Sequence, residues 1–398
     1  MASLDLSISQ TKAHSSAAVS LAVACMGLFV PNYVQYQISP LGPQVIELYG
    51  ISTDQLAQLF SAPMIPAIFL SLFAGVLIDR IGAKRTVSIG LALTAAGCVV
   101  RVAATTYSML FAGMMLTGVS ACFLMAGASK ILAGFYGPDG VGAKMGVLMS
   151  SSMLGTMLAT ATTAMFPSLR IAFSVGAIVA IAPTVVWIAF RGEPQAETNC
   201  SLSSPKLSEC LGIVLKSPGV WATGLGLAFV MGANVVISSY TPTVLGMRGF
   251  DAESAGIVTS FFMLGNLAGC YIAPALIALI GRQKPIVVVF ALLTGIGIAF
   301  AWQLPSSAAL SLAFFITGMS MMGVVPTLMS APVQLPEIGP IYAGTAGGFV
   351  TMVQVLGAVV IPSYAIVPIA DGEIAVIYLL GGACMVLAAV ASATIKMK

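Results

Sequence analysis

Polar and aromatic side chains crowd one short stretch of the chain, PNYVQYQ at 31–37. Six consecutive positions hold two tyrosines and three amides: Asn32, Tyr33, Gln35, Tyr36 and Gln37. Amides donate and accept hydrogen bonds, and tyrosine rings attract cations through their faces. The stretch predicts noncovalent binding of a small polar solute, with packing between helices as the alternative interpretation.

Further polar side chains fall inside apolar segments, where they are costly unless they face protein or a water-filled cavity. The candidate substrate ligands outside the first stretch are Asn234, Tyr240, Asn266, Gln354, Lys130 and Arg101. Interhelical hydrogen bonds explain Asn234 and Asn266 equally well. Arg101 lies close enough to a segment end to snorkel towards water. Lys130 either pairs with Asp79 or attracts an anion.

Catalytic chemistry is not expected from these residues. The single histidine, His14, lies in a polar N-terminal stretch, and no nucleophile, base and orienting acid combine within the apolar segments. The spacing of the seven cysteines suggests neither a zinc site nor a disulfide framework, and no GxxxxGK[ST] phosphate loop is present. We therefore predict no enzyme activity, no cofactor and no metal.

The composition sets the elements that position these groups. Hydrophobic residues make up 59% of the 398 residues and charged residues only 7%, far below the roughly 25% charged residues of soluble domains. The long apolar runs lack the alternation of barrel strands and predict membrane helices. We number the twelve predicted segments in chain order: 18–46, 54–78, 86–106, 108–134, 142–165, 169–190, 218–246, 252–280, 285–303, 307–335, 341–365 and 373–395.

The longest polar stretch divides these segments into two sixes. It predicts an N-terminal six-helix bundle at 1–190, a cytoplasmic linker at 191–217 and a C-terminal six-helix bundle at 218–398. A shift of 199 residues places IGAKR (81–85) on IGRQK (280–284), and a shift of 202 aligns segment 5 with segment 11. The fold class expected is an all-α membrane protein with two pseudo-symmetric halves.

Lysine and arginine fall mostly at one end of the predicted bundle. If both termini are cytoplasmic, Arg170 and Arg248 are the only loop cations outside, as the positive-inside rule requires. No cleavable signal peptide is predicted. We expect a multi-pass protein of the plasma or inner membrane, acting as a monomer on a small-molecule substrate. The small net charge of +3 gives no case for nucleic acid as a partner.

The loop between segments 2 and 3 reads GVLIDRIGAKR (75–85) and is the densest cluster of charge. It resembles the loop motif of the major facilitator superfamily, and the matching positions are Gly75, Asp79, Arg80, Gly82, Lys84 and Arg85. The resemblance implies twelve transmembrane helices in two halves and a gate that holds their cytoplasmic ends together. The second-half copy has Ala278 in place of the acid, so the resemblance assigns the gate to Asp79.

The sequence lacks two motifs that are usual in the proton-coupled drug exporters of the superfamily, which disfavours a multidrug antiporter. Proton-coupled exporters of the superfamily usually carry an arginine in helix four, where this chain has Met114 and Met115. Their Gly-Pro motif in helix five is also absent from VLMSSSMLGTMLA (147–159). Because no carboxylate lies near the middle of a segment, the centre of the bundle is predicted to be neutral.

Shorter matches bear on the substrate. YVQY (33–36), SKILAGFYGP (129–138) and VQVLG (353–357) resemble parts of the FLVCR-type choline and haem transporters. This resemblance implies a quaternary-ammonium cage of Tyr33 and Tyr240 with Gln354 as the amide, although tyrosine replaces the tryptophan usual at position 33. SKILAGFYGP equally resembles the helix-four end of organic-anion symporters.

The predicted function is therefore alternating-access transport of a small polar metabolite, leaning to an amine, choline-like or zwitterionic solute. The alternative within the same class is an organic-anion exchanger or symporter that uses Lys130 and Arg101. An alternative from another class is a membrane receptor or sensor on the same scaffold.

Overall fold

Helices form wherever the apolar segments were predicted. The computed structural model describes residues 2–189, 207–250, 252–371 and 373–395. Its α-helices are Ala2–Tyr36, Ile38–Tyr49, Thr53–Ser61, Ile65–Ile81, Ala83–Ala103, Tyr107–Thr117, Val119–Thr162, Leu169–Ala189, Leu207–Lys216, Pro218–Met247, Ala252–Ile280, Gln283–Phe300, Ser307–Gln334, Gly339–Val360, Val367–Ala370 and Ile374–Thr394. Short 3₁₀ turns lie at Ala62–Met64, Thr163–Met165 and Ala301–Gln303, and a π-helix at Ile361–Ile366.

Twelve membrane helices result. Within the described ranges, eleven helices are long and apolar enough to cross a membrane. Segment 5 is the twelfth: it continues the helix Val119–Thr162 beyond a kink at Gly137, whose φ is 72°. Serine and threonine lower the hydropathy of this segment, yet it is helical throughout. The all-α architecture predicted from the sequence is confirmed.

Prolines interrupt several membrane helices. Proline lacks an N–H and its ring crowds the carbonyl four residues earlier, so the helix of segment 1 ends at Tyr36, before Pro40, and a new helix starts at Ile38. Segment 2 passes through a 3₁₀ turn at Ala62–Met64, which contains Pro63. Segment 1 is thus interrupted a few residues before Pro40 and Pro43.

Glycine lets the helices of each half approach closely, as is usual in membranes. A Cβ at Gly265 or Gly269 of segment 8 would lie 2.1 Å from the backbone oxygens of Phe315 and Met319, respectively, in segment 10. Gly155 of segment 5 meets Phe29 of segment 1 in the same way, with 2.5 Å to its carbonyl oxygen. These contacts hold helices at a separation that no larger residue permits.

Part of the predicted linker, 191–217, lies outside the described residues. The remainder forms the helix Leu207–Lys216, beneath the start of segment 11. Tyr342 donates its hydroxyl to Glu209 (3.2 Å), and Ser217 donates to Glu337 (2.9 Å). Burial raises the pKa of the Cys210 thiol, which keeps it neutral. The linker helix is therefore fastened to the second half.

The two ends of the bundle differ in charge. We call the end that carries the loops at 80–85 and 281–284 the basic end. At the opposite end, Arg248 donates to the backbone oxygens of Trp302, Gln303 and Leu304, where segment 9 ends. A guanidinium on unpaired helix carbonyls is favourable, which explains one of the two loop cations found away from the basic end.

Candidate functional site

A buried carboxylate joins the two halves at the basic end. The side chain of Asp79, in segment 2, is 0% exposed, and its Oδ1 accepts from Lys130 Nζ at 2.6 Å and from Gly344 N at 3.1 Å. Its Oδ2 accepts from both the backbone N and the hydroxyl of Thr345, each at 2.6 Å. Four donors from segments 4 and 11 thus converge on one carboxylate, which satisfies its charge in a low-dielectric setting.

The other motif residues surround this carboxylate in distinct ways. Gly82 separates segments 2 and 3 with φ 90° and ψ 157°, a conformation that favours glycine. Arg80 and Arg85 are exposed, and the carbonyl of Lys84 accepts from Trp187 Nε1 at 3.3 Å. Asp79 is accordingly the motif side chain that contacts the opposite half.

Backbone contacts between the halves repeat with the internal symmetry of the chain. A Cβ at Gly348 would lie 2.3 Å from Ser71 O, where segment 11 meets segment 2. A Cβ at Gly146 would lie 1.9 Å from Cys270 O, where segment 5 meets segment 8. The shifts of 202 and 199 found in the sequence map Gly146 onto Gly348 and Ser71 onto Cys270. The two contacts are therefore symmetry mates.

The chemistry of the two contacts differs. Ala278 stands where the repeat of Asp79 would be, and a hydroxyl pair joins segments 5 and 8 instead: Ser150 Oγ and Tyr271 OH lie 2.6 Å apart. Ser150 donates its proton to Val147 O at 2.8 Å. Tyr271 must then be the donor to Ser150, because each hydroxyl carries one proton.

Removing the Tyr271 hydroxyl should loosen this second contact modestly. A neutral hydrogen bond contributes about 0.5–1.5 kcal/mol, so Tyr271→Phe should raise the rate of maleimide labelling at the neighbouring buried Cys270 about 2- to 12-fold. Labelling is read from the modified peptide by mass spectrometry. Cys98, buried within the first half, serves as the control for unfolding, and an unchanged rate at Cys270 would contradict the role of the hydroxyl pair.

Segment 1 is packed on most of its circumference. Gly27 lies against Leu124 of segment 4, and Gln35 Nε2 donates to Phe60 O of segment 2 at 2.9 Å. Gln37 Nε2 donates to Ala172 O of segment 6 at 3.0 Å, and segment 5 covers Phe29 O. The remaining face carries partly exposed side chains three and four residues apart: Phe29, Asn32 and Tyr36.

This face lies between segments 2 and 5, both of which contact the second half. Further along it Pro43, Gln44 and Glu47 are exposed. The close contacts between the halves lie towards the basic end. The face of Phe29, Asn32 and Tyr36 therefore borders a central space that opens away from the basic end.

Segment 7 presents the matching face in the second half. Gly232 packs on Ile361 of segment 11, and Thr241 Oγ1 lies 3.0 Å from Tyr378 OH of segment 12. The partly or fully exposed residues left on the central side are Met231, Asn234 and Ser238. The contact of Gly155 with Phe29 repeats in the second half as that of Gly357 with Ala228, so this triplet lies about one helical turn further along segment 7 than its counterpart on segment 1. We call the two triplets together the central faces.

Several predicted ligands lie elsewhere. Tyr33 is 6% exposed and stacks on Phe29 with ring centroids 5.6 Å apart, and Gln35 is occupied by Phe60 O. Tyr36 instead keeps a partly exposed ring, edge-on to Phe60 at 5.1 Å. The structure thus groups Asn32, Tyr36 and Asn234 on the central faces and places Tyr33 in the packing between segments 1 and 5.

The remaining candidates are enclosed by protein. Asn266 and Gln354 are 2% and 8% exposed, and their side-chain carbonyl oxygens have no hydrogen-bond partner among the described residues. Tyr240 packs partly buried against the core of the second half. Lys130 is held by Asp79.

Arg101 does not reach water as its position predicted. It is 1% exposed and lies over the ring of Phe173, with 4.2 Å from Cζ to the centroid. Nη2 donates to Gln37 Oε1 at 3.3 Å, whereas Nε and Nη1 have no hydrogen-bond partner in the part of the chain that the structure describes. Packing of segments 1, 3 and 6 encloses the guanidinium. It therefore contacts the amide of Gln37 and the ring of Phe173 and does not extend to water.

Sequence reasoning missed Phe29, Met231, Gly344, Thr345 and the Ser150–Tyr271 pair. Phe29 and Met231 are apolar and carry no local signal for a site. The internal repeat would have aligned the polar face of segment 1 with that of segment 7 to within about one helical turn.

Comparison with known families places these features in context. The model of the Major Facilitator Superfamily matches residues 16–362. The cyanate transport protein CynX of Escherichia coli K12 is 21% identical over 250 residues, covering 62% of this chain and 64% of CynX. An uncharacterized protein of Archaeoglobus fulgidus is 25% identical over 141 residues, 34% of this chain and 62% of its own length. The chain thus spans less than two thirds of these curated relatives.

Solved structures resemble the whole fold. The E. coli fucose:proton symporter FucP superposes with a TM-score of 0.80 at 15% identity, covering 95% of this chain and 98% of FucP. The human organic anion transporter MFSD10 superposes with a TM-score of 0.72 at 15% identity, covering 94% and 99%. At such identities the likeness concerns the fold alone.

Proposed function

Because the chain belongs to the major facilitator superfamily, whose members are secondary membrane transporters, we propose that it carries a small polar solute between its two halves. The solute binds at the central faces, and the halves rock about it to expose it to each side in turn. The observation that carries this proposal is the pair of matching polar faces, Asn32 with Tyr36 and Asn234 with Ser238, bordering a space between the halves.

The charge of the site supports an amine or zwitterion over an anion. The central faces carry two amides, two hydroxyls, two aromatic rings and a thioether, with no charged side chain among them. Lys130 is neutralised by Asp79, and Arg101 is enclosed within the first half. A cation gains from aromatic rings and amide oxygens, whereas an anion would need a positive partner that the central faces do not supply.

The distribution of basic residues supports an outward-open state for this structure. The excess of lysine and arginine at the basic end supports a cytoplasmic location for that end in the cell membrane. Asp79 and the glycine contacts then close the cytoplasmic side, and the central space opens outwards. Transport to the inside requires Asp79 to release Thr345 and Gly344, and closure of the outer ends over the solute.

A small anion is the second candidate. The curated relative is named for cyanate transport, and two guanidinium nitrogens of Arg101 lack partners. A thermal-shift screen of the detergent-purified protein against amines, amino acids, carboxylates and cyanate separates the candidates, because a ligand of the folded form raises its apparent stability. Stabilisation by anions alone would replace the amine proposal.

The absence of charged side chains from the central faces also bears on whether transport is coupled to protons. Proton coupling commonly uses a titratable group inside the bundle, and the central faces carry no carboxylate and no histidine. We expect exchange or facilitated diffusion: in proteoliposomes the solute found by the screen should exchange against itself at equal pH on both sides. An imposed pH gradient should cause no accumulation in vesicles without internal solute. Accumulation driven by that gradient alone would contradict this prediction.

A further inference from the structure

The bonds made by Asn32 and Asn234 define how each amide is oriented. Asn32 Nδ2 donates to Leu28 O at 2.8 Å, one turn earlier in its own helix. Asn234 Nδ2 donates to Met321 Sδ at 3.2 Å. A carbonyl oxygen and a thioether sulfur accept hydrogen bonds and cannot donate them. Both amides are therefore anchored through nitrogen.

This anchoring changes what the amides offer to a solute. A free amide has two N–H donors and one oxygen with two lone pairs. Each asparagine donates one N–H to a protein atom. One N–H donor and two oxygen lone pairs therefore remain available to a solute on each side chain. Because Asn32 lies on segment 1 and Asn234 on segment 7, this excess of acceptors is present in both halves of the bundle.

Rings on segment 1 favour a cation among the possible donors. Phe29 lies three residues before Asn32 and Tyr36 four residues after it, on the same partly exposed face. Aromatic faces attract an ammonium group, and carbonyl oxygens accept its N–H bonds. Tyr33 is 6% exposed and its ring is stacked on Phe29, which removes one ring from the cage that a quaternary ammonium would need.

We propose that Asn32 and Asn234 bind the N–H donors of a primary ammonium group through their Oδ1 atoms, so that the site selects primary amines over quaternary ones. This inference rests on the central site proposed above and specifies its substrate class. A quaternary ammonium has no N–H, leaves both amide oxygens without donors, and adds three methyl groups beside Tyr36.

Matched solutes test the selectivity directly. Ethanolamine and choline differ only in three methyl groups on nitrogen, as do glycine and glycine betaine. Equilibrium binding to the purified wild-type protein should be tighter for the primary amine in at least one pair, by about 10- to 150-fold, the range expected for a hydrogen bond to a charged group. Equal or tighter binding of both quaternary solutes, or binding of none of the four, would overturn the proposal.

Two variants of the same residue assign the effect to the amide oxygen. Asn32→Leu removes the acceptor at similar size and should weaken binding of the primary amine about 10- to 150-fold, while Asn32→Asp keeps an acceptor oxygen and should bind at least as tightly. Asn234→Leu and Asn234→Asp should behave in the same way. Thermal stability without solute checks that each variant is folded.

The outcomes separate this inference from the proposed function. A carboxylate that binds the wild type and is lost in both Asn32→Asp and Asn234→Asp would overturn the ammonium assignment and leave the central site in place. Amine binding that is unchanged in Asn32→Leu and Asn234→Leu would place the solute elsewhere and overturn the central site as well.

Discussion

Replacing Asp79 with asparagine should strongly reduce transport while leaving expression largely intact. The buried carboxylate accepts hydrogen bonds from Lys130, Gly344 and Thr345. Asparagine replaces one carboxylate oxygen with an NH₂ group, which is a donor and cannot accept from these donors. Lys130 would also lose its counter-charge. Breaking one partner of a buried ion pair costs about 3–5 kcal/mol, so the state closed at the basic end should lose about 10²- to 5 × 10³-fold in population.

Uptake in proteoliposomes measures this effect, with the protein level in each preparation as the reference. Arg85→Gln is the matched control, because it removes an exposed charge from the same loop and should change uptake little. A second substitution, Lys130→Gln on Asp79→Asn, removes the unpaired charge and should recover part of the lost activity. Uptake by Asp79→Asn equal to that of the wild type would refute the gate role of Asp79.

The architecture follows from local properties of the sequence, which is why it was predicted. Apolar length defines a membrane helix, and the pairing of IGAKR with IGRQK reports the repeat. Proline defines where segment 1 bends to within a few residues, since its effect on the backbone is local. Segment 5 remained recognisable despite its serines because its neighbours and loops constrain the count of crossings.

The site was predictable in composition and less so in geometry. Tyr33 and Tyr36 are both aromatic on one helix, and only the close approach of Gly155 decides that Tyr33 is packed and Tyr36 borders the central space. Likewise, Asp79 was identifiable from its motif, whereas Thr345 lies 266 residues further along the chain. Contacts between distant segments depend on how each helix is rotated about its own axis. The hydrophobic pattern alone does not define that rotation.

Alanine at Gly146 or Gly348 should open the basic end from the backbone side. The added Cβ would lie 1.9 Å from Cys270 O or 2.3 Å from Ser71 O, well inside the distance at which a carbon and a backbone oxygen can remain. The helices must separate to admit it. Overpacking of this kind costs about 1–3 kcal/mol, so either variant should shift the population away from the closed state about 5- to 150-fold.

Labelling of the native Cys270 with a maleimide reads this shift, because Cys270 is buried where segments 5 and 8 meet. Gly142→Ala is the control on the same helix, since its Cβ would have only Ser330 Oγ nearby, at 4.0 Å. We expect faster labelling in Gly146→Ala than in Gly142→Ala, with Cys98 unlabelled in both. Gly348→Ala should accelerate the same cysteine although it lies on the other contact, because the halves move as bodies and cannot open one contact alone. Faster labelling in Gly146→Ala with no change in Gly348→Ala would mean that the two contacts open independently.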